Sequence, residues 1–139
     1  MISIIEQDKK LNPIQKKLAI IAIKLVLANY KIAITLISCS DKYIKKINKE
    51  QLNHDYETDI ITFQYDDHKE KIEAELLISL DTVYANSIIY KTSLDKEFIR
   101  VVIHGCLHTI GYYDKTKTEI KEMRKAEEKY LNIMFPVEL

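Results

Sequence analysis

Residues that interrupt regular structure are scarce in this sequence, which has only two Gly and two Pro among 139 residues, and it has no Trp. This composition is typical of a compact, ordered protein with few long loops, and it argues against disorder. No internal repeat and no Gly-, Ser- or Pro-rich linker divides the chain. One hydrophobic core suffices at this length, so we expect residues 1–139 to form a single domain.

Cysteine and long apolar runs are equally scarce. Cys39 and Cys106 are the only two cysteines. They lie far apart and lack C-x-x-C spacing, which indicates reduced, buried thiols rather than a disulfide framework. The start of the chain lacks the basic flank and apolar segment of a signal peptide, and no run of about 18 apolar residues could span a bilayer. We therefore expect a cytoplasmic protein with no membrane partner.

The chain also lacks an excess of either charge, since 21 Lys and Arg balance 21 Asp and Glu. Nucleic-acid binding therefore cannot be argued from the charge of the whole protein, and any RNA site must be a local patch. One such patch is predicted on the second helix, where lysines recur along one face at Lys42, Lys45, Lys46 and Lys49. A row of this kind suits a phosphate backbone. The alternative is an ordinary solvated face opposite Ile44, Ile47 and Gln51.

Local patterns predict an α+β fold. Alternating and β-branched segments predict strands at residues 1–6, 31–38, 59–65 and 72–79. Helical periodicity, with Pro13 at the first helical position and a capping box from Thr116 to Glu119, predicts helices at residues 13–29, 41–52, 81–90, 95–110 and 118–131. The first strand, helix and strand form a parallel βαβ unit, and the other two strands form an antiparallel pair. We expect a small mixed four-stranded sheet packed by about five helices.

The most informative segment runs from Arg100 to Asp114. On a helical wheel Arg100, His104 and His108 fall on one stripe, while apolar side chains cover the other directions. Two His residues four apart on a helix direct their rings at a common point, which is the first half of a zinc site. The segment therefore predicts a core helix with one polar side that holds a metal ion.

The third ligand is predicted to be Asp114. Gly111 ends the helix, so the following turn can bring Asp114 back toward the two His residues. The pattern H-x-x-x-H-x-x-G-x-x-D resembles the metzincin arrangement, with Gly105 in place of the catalytic Glu and Asp in place of the last His. Three protein ligands leave a coordination position open, as in catalytic sites, and we expect one divalent ion, with zinc as the expected metal. Alternatively, Asp114 caps the last helix and Arg100 forms an ion pair.

Gly105 also requires an explanation of its own. Glycine inside a helix costs about 1 kcal/mol relative to Ala. The pattern therefore predicts that a backbone or a substrate approaches the helix closely at this position.

The segment His104-Gly-Cys-Leu-His-Thr-Ile-Gly-Tyr112, followed by an acidic ligand, resembles the signature of the YbeY endoribonucleases. The segments 52–56, 58–63 and 74–79 are similar to further segments of that family, so the resemblance covers essentially the whole chain. It implies a single-strand-specific, metal-dependent endoribonuclease that matures the 3′ end of small-subunit (16S) ribosomal RNA and acts in ribosome quality control. Expected partners are single-stranded ribosomal RNA and the ribosome or its proteins.

Two departures from the family pattern affect what the resemblance implies. The usual third His is Asp114, which lowers the net positive charge of a bound metal. Glu57 stands where a functionally important Arg of the family would begin, so phosphate binding by that Arg cannot be carried over to this chain.

Several residues near the motif are candidates for supporting roles. Arg100, one turn before His104, is the nearest side chain that could offset phosphate charge. Tyr112 and Tyr113 could stack on unpaired bases.

A general base is not assigned by the sequence. Asp59 and Glu75 are weak candidates, and structural carboxylates at strand ends are the alternative. Two other functions stay open: a non-catalytic ribosome-assembly factor with a structural metal, and a non-haem iron oxygenase, whose facial triad also contains two His and one carboxylate.

Overall fold

The computed structural model describes residues 1–54, 58–66 and 71–136. Its elements are, in chain order, β1 (Ile2–Glu6), α1 (Pro13–Val26), β2 (Lys31–Cys39), α2 (Asp41–Leu52), β3 (Ile60–Asp66), β4 (Lys71–Ser79), α3 (Leu80–Ile89), α4 (Leu94–Thr109) and α5 (Lys117–Met134). The strand order is β1-β2-β4-β3, in which β2 is parallel to β1 and β4 and β3 is antiparallel to β4. The predicted α+β class, four-stranded mixed sheet and five helices are confirmed.

Side chains that precede the helices satisfy backbone N–H groups that have no partner within the helix. Asn12 Oδ1 accepts a hydrogen bond from Gln15 N at 2.8 Å, and Thr116 caps α5 in the same way, so both helices begin with a capping box. Helix α1 ends at Val26 instead of near residue 29. The chain turns after the C-cap residue Leu27, and Tyr30 N donates to Leu27 O at 3.1 Å within this turn.

The sheet separates a large core from a small one. Side chains of a strand alternate between the two faces, so the neighbours Leu76 and Leu77 of β4 point to opposite sides. Leu76 packs in the large core with Ile103 and the other apolar residues of α1 and α4. Leu77 packs in the small core with Ile44 of α2 and Ile61 of β3.

Helix α4 lies at the centre of the large core, between the sheet and helices α1, α3 and α5. Most of its residues are buried, which explains why its sequence is apolar in nearly every direction. Among the described residues, no helix is long and apolar enough to cross a membrane.

Gly105 lies where α4 packs closely against β3 and β4. A Cβ atom at this position would lie 2.6 Å from Cδ1 of Ile60 and 3.0 Å from Cδ2 of Leu76. The close approach expected from the sequence is therefore present, but strand side chains make it, rather than a backbone.

We predict that this contact couples position 105 to position 60. Gly105→Ala improves helix propensity but places a methyl group against Ile60, whereas Ile60→Val removes the Cδ1 atom. The change in the free energy of unfolding caused by Gly105→Ala should therefore be about 1 kcal/mol more stabilising in the Ile60→Val background than in the wild type. Urea denaturation of the four proteins measures this coupling.

Ile61→Val is the matched control, because Ile61 faces α2 on the other side of the sheet. Its effect should add to that of Gly105→Ala. If the effects of Ile60→Val and Gly105→Ala on the free energy of unfolding also add, within about 0.3 kcal/mol, the contact with Ile60 does not explain why position 105 is glycine.

Candidate metal centre

The three predicted ligands meet at the end of α4. His104 and His108 lie one turn apart, and their Nε2 atoms are 3.1 Å from each other. Asp114, on the chain that follows the helix, places Oδ2 3.3 Å from His104 Nε2 and 3.6 Å from His108 Nε2. The three side chains therefore form a group that could hold a metal ion.

A glycine turn brings Asp114 to this position. Gly111 has φ of 100°, in the left-handed region that a residue with a Cβ rarely adopts. Tyr112 N donates to Leu107 O at 3.1 Å and closes the turn that ends α4. The prediction that Gly111 ends the helix is confirmed.

The spacing of the ligand atoms fits a tetrahedral ion. Ligands at about 2.0–2.1 Å from a tetrahedral zinc are separated from one another by about 3.3 Å. The separations of 3.1, 3.3 and 3.6 Å bracket that value. Two imidazoles and a carboxylate are the donors of some catalytic zinc sites and of non-haem iron sites, so the group fits a divalent ion without identifying it.

His108 is held in the form that can bind a metal. Its burial and the neighbouring His104 lower the pKa of the His108 imidazole, and these effects outweigh the opposing influence of Asp114. The ring is therefore neutral near pH 7, and a neutral imidazole has a lone pair to donate.

Glu127 of α5 contacts the group, and sequence analysis did not assign it a role. Its carboxylate is buried, with Oε2 2.6 Å from His104 Nδ1. Burial by itself would raise the pKa of Glu127, but the hydrogen bond with His104 and the charge of Arg100 outweigh burial and lower this pKa. Glu127 lies on the same stripe of α5 as the buried residues Met123 and Leu131. An acidic residue among apolar ones at this spacing is the feature of the sequence that could have indicated its role.

Arg100 is surrounded by three carboxylates, which come from its own helix, from α5 and from the residue that precedes β3. It donates to Glu97 at 3.0 Å from Nε and 2.7 Å from Nη2, and to Glu127 at 3.1 Å from Nη1, while Asp59 Oδ2 is 3.6 Å from Nη2. Burial by itself would lower the pKa of Arg100, but Glu97 and Glu127 raise it above its ordinary value. These contacts agree with the alternative that Arg100 forms ion pairs. The predicted role of Arg100 on a phosphate stays a prediction.

A groove of about 660 Å³ opens beside the three ligands. Its described lining includes Leu52 at the end of α2, Thr62 of β3 and Lys115 next to the third ligand, but not Arg100. An extended ligand lying in this groove would therefore pass the candidate metal centre.

The two carboxylates considered as bases lie in different places. Asp59 lines the groove with the three ligands. Glu75 lines a separate groove with Tyr43 and Phe63, and it accepts a hydrogen bond from Tyr65. Of these two carboxylates, Asp59 is therefore the one that lies beside the candidate metal centre.

The residues predicted to contact RNA are exposed. The lysine row consists of Lys42, Lys45, Lys46 and Lys49, and it lines a hollow on the outer side of α2. Tyr112 and Tyr113 are 37% and 57% exposed, but they are not among the described residues that line the groove. The role of all six in RNA binding stays a prediction. Residues 55–57, which include Glu57, lie outside the described residues.

The two thiols are unsuited to metal chemistry. Cys39 and Cys106 are free and buried, as the sequence predicted. Burial raises the pKa of each thiol to about 12, with nearby carboxylates adding to the effect at Cys39. A thiolate, the form that binds metals, is therefore scarce near pH 7.

Comparison with known proteins gives consistent matches across the chain. The family model of the endoribonuclease YbeY matches residues 3–134. The endoribonuclease YbeY of Chlorobium limicola is 45% identical over 100 residues, which cover 72% of this chain and 69% of that protein. The endoribonuclease YbeY of Chloroherpeton thalassium is 42% identical over 117 residues, which cover 82% of each chain.

A solved structure is also similar. The solution structure of a Thermotoga maritima protein, 28% identical, superposes with a TM-score of 0.63 and covers 95% of this chain and 87% of that one. Together with the matched family model and the curated relatives, this likeness extends over sequence and fold alike. The chain therefore belongs to the YbeY endoribonuclease family.

Proposed function

We propose that this protein is a metal-dependent endoribonuclease that cleaves single-stranded RNA in the maturation of the 3′ end of small-subunit ribosomal RNA. We also propose that it acts in ribosome quality control. Residues 1–139 are proposed to form one catalytic domain. The observation that carries the proposal is the convergence of His104, His108 and Asp114 beside an open groove. Relatives named as endoribonucleases support the choice of RNA as the substrate.

His104, His108 and Asp114 would hold the divalent ion, for which zinc is our first choice. When bound, such an ion would act as a Lewis acid: it would polarise a phosphoryl oxygen and lower the pKa of a bound water molecule. Asp114 contributes one negative charge, so this centre is less positive than one with three neutral ligands. Gly105 offers no carboxylate where zincin proteases keep their base, which argues against peptide hydrolysis by that mechanism.

Asp59 is the carboxylate that we propose for proton transfer at this centre. It lines the groove beside the three ligands, whereas Glu75 does not. Its Oδ2 atom lies 3.6 Å from Nη2 of Arg100, so this ion pair places the carboxylate next to the polar side of α4.

A non-catalytic assembly factor with a structural metal is the competing function. Structural zinc sites are closed by four protein ligands. Here the described residues supply three ligands that line a groove of about 660 Å³. This arrangement favours a catalytic ion.

We predict that cleavage of single-stranded RNA depends on the three ligands. His108→Ala and Asp114→Asn should each lower the cleavage rate more than about 100-fold. Loss of a residue that only hydrogen-bonds a metal ligand typically costs about 10- to 100-fold in activity, and loss of a ligand itself should cost more. Chelation should abolish cleavage and Zn²⁺ should restore it. Gel-based assays on matched single-stranded and duplex RNA measure both effects.

Glu122→Gln is the matched control, since Glu122 is an exposed carboxylate on α5 and the change also removes one negative charge. It should leave the rate unchanged. RNA binding without cleavage by the metal-loaded wild type would instead support the assembly factor, and chelator-resistant cleavage would contradict a metal-dependent mechanism.

We further propose that the lysine row binds the phosphate backbone outside the groove. Its four side chains are exposed on α2, and the end of the same helix, at Asn48 and Leu52, lines the groove. A strand that crosses α2 could therefore reach the metal centre. Tyr112 and Tyr113, exposed beside the third ligand, are proposed as stacking surfaces for its bases.

We predict that the double variant Lys45→Glu, Lys46→Glu weakens RNA binding and flattens its dependence on salt. The slope of log affinity against log salt should become shallower by roughly 1 for each phosphate that the variant no longer neutralises. Fluorescence titration of a labelled single strand over a range of salt concentrations measures this slope.

The double variant Lys17→Glu, Lys24→Glu is the control, because these exposed lysines lie on α1, which packs against α4 and α5. It makes the same change in net charge. Equal slopes for the two double variants would show that the lysine row is an ordinary solvated face.

A further inference from the structure

Glu127 is a buried carboxylate whose two oxygens have different partners. Only 3% of the residue is exposed, among apolar side chains of α5 such as Met123 and Leu131. Oε1 accepts a hydrogen bond from Arg100 Nη1 at 3.1 Å, and Oε2 lies 2.6 Å from His104 Nδ1. A carboxylate in such a place is costly unless it is paired, so both contacts matter for its position.

These contacts determine where His104 carries its proton. Because Arg100 donates to one oxygen of Glu127, the carboxylate is an acceptor, and His104 Nδ1 must donate to the other oxygen. A neutral imidazole with hydrogen on Nδ1 keeps its lone pair on Nε2. That atom is the one that lies 3.1 Å from His108 Nε2 and 3.3 Å from Asp114 Oδ2.

We propose that Glu127 is a positioning residue that holds the His104 imidazole in the tautomer and orientation needed to bind the metal ion, an inference that rests on the proposed metal centre. Carboxylates hydrogen-bonded to metal-ligating imidazoles act in this way in other metal sites. The last helix of the chain would therefore shape the centre without supplying a ligand.

Arg100 makes this arrangement rigid. Its guanidinium donates to Glu97, which is 2% exposed, through Nε and Nη2 and to Glu127 through Nη1. Arg100 and His104 are one turn apart on α4, so Glu127 bridges two neighbouring side chains of the same helix. The carboxylate cannot turn away from His104 without giving up its bond to the guanidinium.

Glu127→Gln tests the proposal because both orientations of an amide conflict with the site. If the amide oxygen faces Arg100, the NH₂ group donates to His104 Nδ1 and moves the ring proton to Nε2, where it blocks the metal. If the oxygen faces His104, the NH₂ group meets the donors of Arg100. We expect the affinity for Zn²⁺ to fall by about 10- to 100-fold, measured by competition with a chromophoric chelator.

Glu128→Gln is the matched control, since Glu128 is the next residue, is exposed and loses the same charge. It should bind Zn²⁺ like the wild type. Equal affinity of Glu127→Gln and Glu128→Gln, in a wild type that does bind Zn²⁺, would overturn the role of Glu127 while leaving the metal centre intact. A wild type that binds no Zn²⁺ would instead overturn the proposed metal centre.

The tautomer provides a second test that needs neither the metal nor a variant. The ¹⁵N shifts of the His104 ring, recorded in metal-free wild type above the titration range of imidazole, report which nitrogen carries hydrogen. We expect hydrogen on Nδ1. Hydrogen on Nε2 would overturn the proposal even if Glu127→Gln failed to fold.

Discussion

Pairing between the polar side of α4 and carboxylates from other parts of the chain holds the candidate site together. This helix is covered by the sheet and by three other helices, yet it carries Arg100, His104 and His108 along one stripe. A buried cation without a partner is strongly destabilising. Carboxylates from three other parts of the chain therefore meet this stripe, at Asp59, Asp114 and Glu127.

Pairing that stripe also organises the candidate centre. Arg100 is paired with Glu97 of its own helix, with Asp59 just before β3 and with Glu127 of α5, and Glu127 also contacts His104. The packing of α5 on α4 therefore affects the position of the His104 imidazole. His108, at the other end of the stripe, and Asp114, which follows the helix, line the groove. One side of the polar stripe is thus closed by ion pairs, and the other remains accessible to a substrate.

Much of this architecture could be predicted because it depends on neighbours in the chain. The capping box at Thr116, the strand and helix periods and the turn at Gly111 are local, and the spacing of His104 and His108 determines their proximity. The two helices whose ends were least well placed, α1 and α5, end within a few residues of the prediction.

What could not be predicted depends on tertiary packing. Glu127 lies 23 residues from His104, and only the packing of α5 on α4 brings them together. The guanidinium of Arg100 donates to Glu97 at the local i,i+3 spacing, but its second partner, Glu127, is brought near only by the packing of α5. Likewise, the closeness of Ile60 to Gly105 arises from how β3 crosses α4, which the sequence of either element alone does not reveal.

The proposed centre, in which one divalent ion binds to two imidazoles and the carboxylate of Asp114, can be examined by X-ray absorption spectroscopy. The sample is the purified protein loaded with one equivalent of Zn²⁺. We expect a first shell of nitrogen and oxygen at about 2.0–2.2 Å with the scattering pattern of two imidazoles, and a changed first shell in Asp114→Asn. A shell that contains sulfur at about 2.3 Å, or one that is unaltered by His108→Ala, would show that the ion binds elsewhere.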